Sequence, residues 1–203
     1  EFKTNILNTG NSYGLAFFGW AGVVPITGSN FHDANFGAGN VVANNDFSGI
    51  LGAYGLGALT FFNNSTYKLD ATNNWWGSLN GPVNTKNVFN VGSQGTTVSN
   101  DVTFVPWWQT PAGTSFAPVT NTAAGKYSNF TDAVSGTASS GTINAASGTY
   151  TEDFAVPDSK TGLDIAGAGL TTTTIKGIAN TPIPPTATPL NIDIRGNGTK
   201  IHG

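Results

Sequence analysis

The sequence has no cysteine, no methionine and few charged residues. Without cysteine, the chain has neither a disulfide framework nor a thiolate metal site. Charged residues make up 9% of the chain, against about 25% in a typical globular domain. The net charge is −3 and no basic stripe is present, so nucleic-acid binding has no electrostatic basis. No apolar run approaches the roughly 18 residues that a membrane-spanning helix needs, which excludes a membrane span.

Residues that favour helices are also scarce, with only two glutamates and one arginine in the chain. Threonine, valine, isoleucine and phenylalanine favour strands, whereas the 27 glycines and 23 asparagines favour tight turns. The chain is nevertheless 38% hydrophobic and 11% aromatic, which is enough to fill a core. The composition therefore predicts an ordered all-β protein.

One loose unit recurs in the first part of the chain: strand-forming residues, then asparagine, then glycine or phenylalanine. Its copies span residues 3–8, 25–31, 40–47, 59–64 and 67–74. Asparagine tolerates left-handed backbone angles at a corner, and its amide can bond an asparagine of the neighbouring repeat to form a ladder. The irregular spacing indicates stacked strands joined by turns of variable length.

The most informative stretch is residues 70–82, Asp-Ala-Thr-Asn-Asn-Trp-Trp-Gly-Ser-Leu-Asn-Gly-Pro. After it the strand pattern gives way to turn signals, with a second tryptophan pair in Val-Pro-Trp-Trp at 105–108. The stretch resembles the last coil of the right-handed parallel β-helix (pectin-lyase-like) repeat domains of secreted prokaryotic surface proteins. This resemblance implies a solenoid in which Trp75, Trp76, Trp107 and Trp108 form a lid or an assembly contact.

The region from residue 122 resembles the opening of another such domain. Residues 127–134 have the 3–4 spacing of a short amphipathic helix, with Tyr127, Phe130, Ala133 and Val134 on one side. The sequence Gly-Thr-Tyr-Thr-Glu at 148–152 and the glycine- and threonine-rich segment 162–177 resemble the first and second coils. The fold predicted is all-β, with the C-terminal coils of one right-handed parallel β-helix followed by the N-terminal coils of the next.

The resemblance to β-helix coils also predicts three domains. Closing coils occupy residues 1–82, a lid segment and linker occupy 83–121, and an N-terminal cap with opening coils occupies 122–203. Strand-like sequence runs up to both ends of the chain. We therefore expect either a piece of a longer array or open coil edges that bind other copies, a contact that grows without limit.

These patterns predict a structural extracellular protein, a component of a cell-surface layer, sheath or filament that assembles head to tail. Its expected partners are copies of itself. The alternative interpretation is a carbohydrate-active or carbohydrate-binding β-helix, because tryptophan rings exposed on a surface can stack on sugars. Trp107 and Trp108 are the candidate sugar contacts under that alternative.

No catalytic residue is assigned from the sequence. Polysaccharide lyases of the similar family need a base and a carboxylate cluster, and here Arg195 stands near Asp193, with Asp164 on the preceding predicted coil. We favour solvent-facing aspartates for these positions, with Arg195 paired loosely beside them. Hydrolases of the family carry an Asp-Asp pair, which this sequence lacks.

Two further expectations concern ligands and modification. Asp33, Asp46 and Asp70 are candidate oxygen ligands for Ca²⁺ if they stack along one corner, and no other cofactor is predicted. Candidate glycosylation sites with the Asn-x-Ser/Thr pattern are Asn63, Asn64, Asn129 and Asn197. In a chain so rich in asparagine and threonine, the favoured interpretation is turn residues without sugar.

Overall fold

The structure is a computed structural model that describes residues 2–3, 15–18, 41–48, 59–62, 68–100, 102–178 and 192–203. The chain folds into two compact units. Unit 1 comprises Glu1–Asn87 and Gly92–Phe116, and unit 2 comprises Val88–Val91 and Ala117–Gly203. Predicted features at residues 19–40, among them Asp33, and at Asn63 and Asn64 lie outside the described residues.

Short strands account for the regular structure of both units. Unit 1 contains β1 (Phe2–Lys3), β2 (Leu15–Phe18), β3 (Val42–Ala43), β4 (Leu59–Phe62), β5 (Leu69–Asp70), β6 (Val102–Thr103), β7 (Trp107–Trp108) and β8 (Ser115–Phe116). Unit 2 contains β9 (Val119–Asn121), β10 (Lys126–Tyr127), α1 (Phe130–Gly136), β11 (Thr142–Ala145), β12 (Gly148–Thr151), β13 (Phe154–Val156), β14 (Asp164–Ala166), β15 (Thr173–Lys176), β16 (Ile192–Ile194) and β17 (Lys200–His202). No helix of the described residues has the length and apolar character that crossing a membrane requires.

The all-β prediction is consistent with this structure, but the predicted right-handed parallel β-helix is wrong. The described strands form six separate two-stranded sheets and one five-stranded sheet, and they contain no solenoid or closed sheet. The five-stranded sheet itself mixes antiparallel and parallel pairs. The physical reason is strand length: turn-forming residues limit each strand to between two and four residues, so the parallel pairs do not merge into continuous faces. The prediction that the C-terminal coils of one β-helix are followed by the N-terminal coils of the next is wrong for the same reason.

In unit 1, three neighbouring segments of backbone bond side by side. Asn44 N–H donates to the Asn73 carbonyl at 2.8 Å, and Asn73 N–H donates to the Pro106 carbonyl at 2.7 Å. Asn44 and Asn73 have positive φ angles of 59° and 56°, which asparagine tolerates better than most residues. The predicted role of asparagine at left-handed corners is therefore confirmed at these two positions.

In unit 2, the five-stranded sheet has the order β10-β9-β11-β14-β17. The three parallel strands place isoleucines in one column, because Ile143 is opposite Ile165 and Ile165 is opposite Ile201. Two further parallel pairs, β12 with β15 and β13 with β16, belong to separate sheets. Among the described residues, β15 pairs only with β12, β16 pairs only with β13, and β17 pairs only with β14.

An aromatic cluster fills the core of unit 2. Phe130 stacks on Phe154 with ring centroids 5.0 Å apart, and Tyr150 meets Phe130 edge-on at 5.0 Å. The buried Tyr150 hydroxyl lies 2.8 Å from the Pro118 carbonyl and 2.9 Å from the Ala146 carbonyl. Desolvation by burial raises the pKa of Tyr150, so this hydroxyl stays a hydrogen-bond donor. Such pairs favour offset and edge-on contacts, which fixes the position of α1 on the core.

The amphipathic helix predicted over residues 127–134 is confirmed in kind, although it begins three residues later. Its buried residues Phe130, Ala133 and Val134 agree with the predicted spacing, whereas Tyr127, which was predicted for the same side, lies in β10 before the helix. Asn129 is the N-cap: its side-chain oxygen accepts a 2.7 Å hydrogen bond from Asp132 N–H. Asparagine is a preferred residue there because its oxygen satisfies an amide that has no partner within the helix.

Opposite charges from outside the helix hold its two ends. At the start, the buried Glu152 carboxylate accepts from Phe130 N–H at 2.6 Å and from the Thr131 hydroxyl at 3.1 Å. At the end, the Lys160 ammonium donates to the carbonyls of Ser135, at 3.0 Å, and Thr137. An anion at a helix N-terminus and a cation at its C-terminus both complement the helix dipole. Seven residues alone make an unstable helix in water, so these two side chains anchor it.

Candidate functional site

The strongest candidate for a functional surface is a groove at the outer side of unit 2, between β15 and β17. The groove has a volume of about 230 Å³. Its lining is mainly apolar and includes Phe130, Ile165, Leu170, Ile175, Ile201 and His202. We call this region, together with the side of β17 that has no strand partner among the described residues, the outer edge of unit 2.

The isoleucine column explains why the groove is apolar. Ile143 and Ile165 are buried, at 0% and 2% exposure, whereas Ile201 in the last strand of the column is 44% exposed. Leu170, on the loop that leads into β15, is 92% exposed. Burying a large aliphatic side chain is worth about 1.5–3 kcal/mol. These side chains would therefore gain stability from a covering layer.

The backbone of β17 is also available for pairing. Lys200 N–H donates to the Leu163 carbonyl at 2.8 Å, and the His202 carbonyl accepts from Gly167 N–H at 2.7 Å. Backbone groups of alternate residues in a strand point to opposite neighbours. The N–H and C=O groups of Ile201 therefore point away from β14, towards the side where no described strand lies.

Acidic and basic side chains lie next to each other on and near β17. Asp164 lies opposite Lys200 in the register, and its Oδ1 atom is 2.8 Å from His202 Nε2. At the end of β16, Arg195 pairs with Asp193 at 3.0 Å. Exposed pairs of this kind contribute about 0–1 kcal/mol each, so they orient side chains more than they stabilise the fold.

The two aspartates considered as a carboxylate cluster contact different basic residues. Asp164 belongs to the five-stranded sheet and contacts His202, whereas Asp193 belongs to the β13–β16 sheet and contacts Arg195. The interpretation of Arg195 as the surface partner of Asp193 agrees with this geometry. The sequence did not reveal the Asp164–His202 contact, because the two residues are 38 positions apart and only the strand register joins them.

The tryptophans assigned to a lid or assembly role occupy two different environments in unit 1. Trp76 and Trp107 are completely buried, whereas Trp75 and Trp108 are half-buried. Trp76 stacks on Phe47 with centroids 4.8 Å apart, and Trp107 Nε1 donates to the Leu79 carbonyl at 3.0 Å. Trp107 has no free ring face, so the sugar-contact hypothesis is left with Trp108. The lid and assembly roles stay predictions.

The glycine of the Gly-Pro pair in the 70–82 stretch has a structural role beside Trp107. Gly81 has a φ of +74°, and a Cβ atom added there would lie 2.6 Å from the Trp107 ring. Only glycine permits both that backbone angle and that approach. Glycine at position 81 therefore allows the stretch to pack directly against the Trp107 ring.

An asparagine pair lies beneath the same stretch. Asn74 Oδ1 accepts from the backbone N–H of Asn45 at 2.9 Å and from its side-chain amide at 3.1 Å. The Asn74 amide in turn donates to the carbonyls of Val42 and Ala71. Both asparagines are 0% exposed. The predicted asparagine-to-asparagine bond is confirmed for this pair, which joins two neighbouring segments of unit 1.

Replacing Asn74 by alanine should destabilise unit 1 by about 2–4 kcal/mol, because it removes a buried acceptor of two Asn45 hydrogen bonds and a buried donor to the Val42 and Ala71 carbonyls. Urea unfolding followed by tryptophan fluorescence measures this loss. Thr72→Ala, at a half-buried position two residues away, is the matched control and should cost less than about 1 kcal/mol. Equal losses for the two variants would contradict the role given to Asn74.

The candidate calcium ligands that are described serve turns instead. Asp46 Oδ1 accepts from Ser48 N–H at 2.8 Å, and Asp70 Oδ1 accepts from Thr72 N–H at 2.9 Å. Within the described ranges, no group of three or more histidine or acidic side chains could hold a metal ion. The calcium prediction stays untested, because Asp33 lies outside the described residues.

The two described Asn-x-Ser/Thr sites differ in the solvent exposure of their asparagines. Asn129 is 5% exposed and its side chain caps α1, whereas Asn197 is exposed in the turn before β17. A glycan on Asn129 would have to displace the cap. Asn197 is therefore the accessible acceptor of these two, and glycosylation stays a prediction.

The chain was compared with known proteins in three ways. No family model matches it, and neither a curated protein nor a solved structure matches it. The resemblance to pectin-lyase-like domains therefore receives no support from relatives.

Proposed function

We propose that the chain is a structural protein of an extracellular surface, which assembles with copies of itself into a layer, sheath or filament. The observation that carries the proposal is the outer edge of unit 2, where exposed aliphatic side chains lie beside a strand edge that no described strand pairs with. Soluble monomers usually protect such edges, because unpaired strands recruit other chains. Placing the protein outside the cell is supported by the lack of oxidisable cysteine and methionine.

The charge on Lys200 disfavours parallel pairing of β17 with the same strand of another copy. If β17 paired with its own copy in parallel register, Lys200 would lie opposite Lys200 of the other copy. Like charges directly opposite destabilise a strand pair. A contact with a different surface of the next copy avoids this repulsion, and such heterologous contacts extend into open assemblies.

Sedimentation velocity of the whole chain over a range of concentrations tests the proposal, with electron microscopy of the same samples. We expect high-mass species and fibres or sheets at high concentration. Leu170→Lys should abolish them while leaving the fold intact, because this side chain is 92% exposed. The matched control is Leu79→Lys, which adds the same charge at a 53% exposed leucine of unit 1. A monomer at all concentrations, or equal effects of the two variants, would overturn the proposal.

A further inference from the structure

The register of the five-stranded sheet defines columns of side chains that continue to β17, its last described strand. One column runs Thr142–Asp164–Lys200, and the next runs Ile143–Ile165–Ile201. In these columns an acidic residue faces a basic one, and isoleucine faces isoleucine. Strand pairs are stabilised by such opposite-charge and β-branched pairings. The open side of β17 therefore has a definite chemical preference.

We propose that the outer edge of unit 2 binds an extended polypeptide in which an acidic residue is followed by a β-branched aliphatic residue, added as a parallel strand beside β17. The acidic side chain would face Lys200, the aliphatic side chain would cover Ile201, and the outward N–H and C=O groups of Ile201 would supply the backbone bonds. Strand addition of this kind obtains affinity from the main chain and specificity from alternate side chains.

Charge complementarity supports this occupant. Lys200 is exposed, Lys176 lies at the end of β15, and His202 contacts Asp164. A basic strand would place like charges opposite Lys200, which disfavours it. The pattern also occurs within the chain, since β14 itself presents Asp164 and Ile165 to Lys200 and Ile201.

The inference rests on the proposed function, because both use the outer edge of unit 2. A peptide-binding experiment tests peptide recognition separately from self-assembly. The probe is a fluorescent peptide with the sequence of residues 162–168, Gly-Leu-Asp-Ile-Ala-Gly-Ala, and its binding to the whole chain is followed by anisotropy. A second peptide carries lysine in place of the aspartate. We expect the acidic peptide to bind about two- to tenfold more tightly than the basic one, the range that one opposite-charge pair replaced by a like-charge pair implies.

Two variants identify the edge. Ile201→Pro removes the outward N–H group and leaves the backbone bonds to β14 in place, a position where proline is tolerated in edge strands, so binding of the acidic peptide should be lost. Lys200→Gln keeps the strand and should reduce the preference between the two peptides, and circular dichroism checks that both variants fold. Lack of binding at millimolar peptide, equal binding of both peptides, or an unchanged preference in Lys200→Gln would overturn the inference. Peptide binding by a chain that stays monomeric would support the inference and reject self-assembly, whereas fibres without peptide preference would do the reverse.

Discussion

Replacing Trp107 by alanine is expected to destabilise unit 1 by about 3–5 kcal/mol, the cost of removing a large aromatic side chain from a core. The ring is completely buried and contacts Phe116 edge-on, with centroids 5.6 Å apart. It also covers Gly81, and its Nε1 atom has its hydrogen-bond partner at the Leu79 carbonyl. Because domains are typically stable by about 5–15 kcal/mol, the loss should shift the unfolding midpoint strongly.

Urea unfolding of Trp107→Ala and Trp108→Ala, followed by circular dichroism, measures this effect. Trp108 is the matched control, since it is the same residue type at the next position but is only half-buried. We expect a clearly smaller loss for Trp108→Ala. If Trp107→Ala cost less than the control, Trp107 would not be the core residue that the structure indicates.

Replacing Glu152 by alanine is expected to destabilise unit 2 by about 2–4 kcal/mol, because buried donors at the start of α1 lose a shared acceptor. The carboxylate accepts from Phe130 N–H and from both the N–H and the hydroxyl of Thr131. Asp158→Ala, which removes an exposed carboxyl group, should change stability by no more than about 0.5 kcal/mol. Similar losses for the two variants would contradict the anchoring role of Glu152.

The same carboxyl group should give unit 2 a measurable pH dependence. Burial raises the pKa of Glu152 above its ordinary value near 4.5, although the hydrogen bonds from Phe130 and Thr131 oppose the rise. A group whose pKa is higher in the folded state favours folding when protonated, so its contribution is full below the unfolded pKa and decreases as pH rises through the folded pKa. Glu152→Gln mimics the neutral form and lacks this titration.

Unfolding free energies of the wild-type chain and Glu152→Gln, measured between pH 4 and pH 7, test the sign. The cost of the glutamine substitution should be larger at pH 4 than at pH 7. A cost that grows with pH would mean that the hydrogen bonds outweigh burial and that the folded-state pKa is depressed.

Local features were the part of this fold that could be predicted from sequence. The positions of Phe130, Ala133 and Val134 follow the helical period, and the corner asparagines follow from backbone sterics. Composition alone predicted the all-β class. These features depend on residues close together in the chain, where spacing and side-chain chemistry are sufficient.

Long-range arrangement was harder to predict. Strand-forming runs and a resemblance to known coils predicted a β-helix, but strand length and sheet continuity depend on how turns pack, and the described strands form separate sheets. The roles of Glu152 and Lys160 at the ends of α1 were missed because both act from more than 20 residues away. The column Ile143–Ile165–Ile201 could not be predicted from the sequence, because it depends on the register between strands that are far apart in the chain.

Hydrogen exchange of the Ile201 amide at increasing protein concentration tests the central claim most directly, because the outward N–H group of this residue is the one that a neighbouring copy would cover. Exchange at Ile201 should slow as concentration rises, while exchange at Leu79, an exposed position of unit 1, stays constant. Exchange at Ile201 that is equally fast at every concentration would contradict assembly through the outer edge of unit 2.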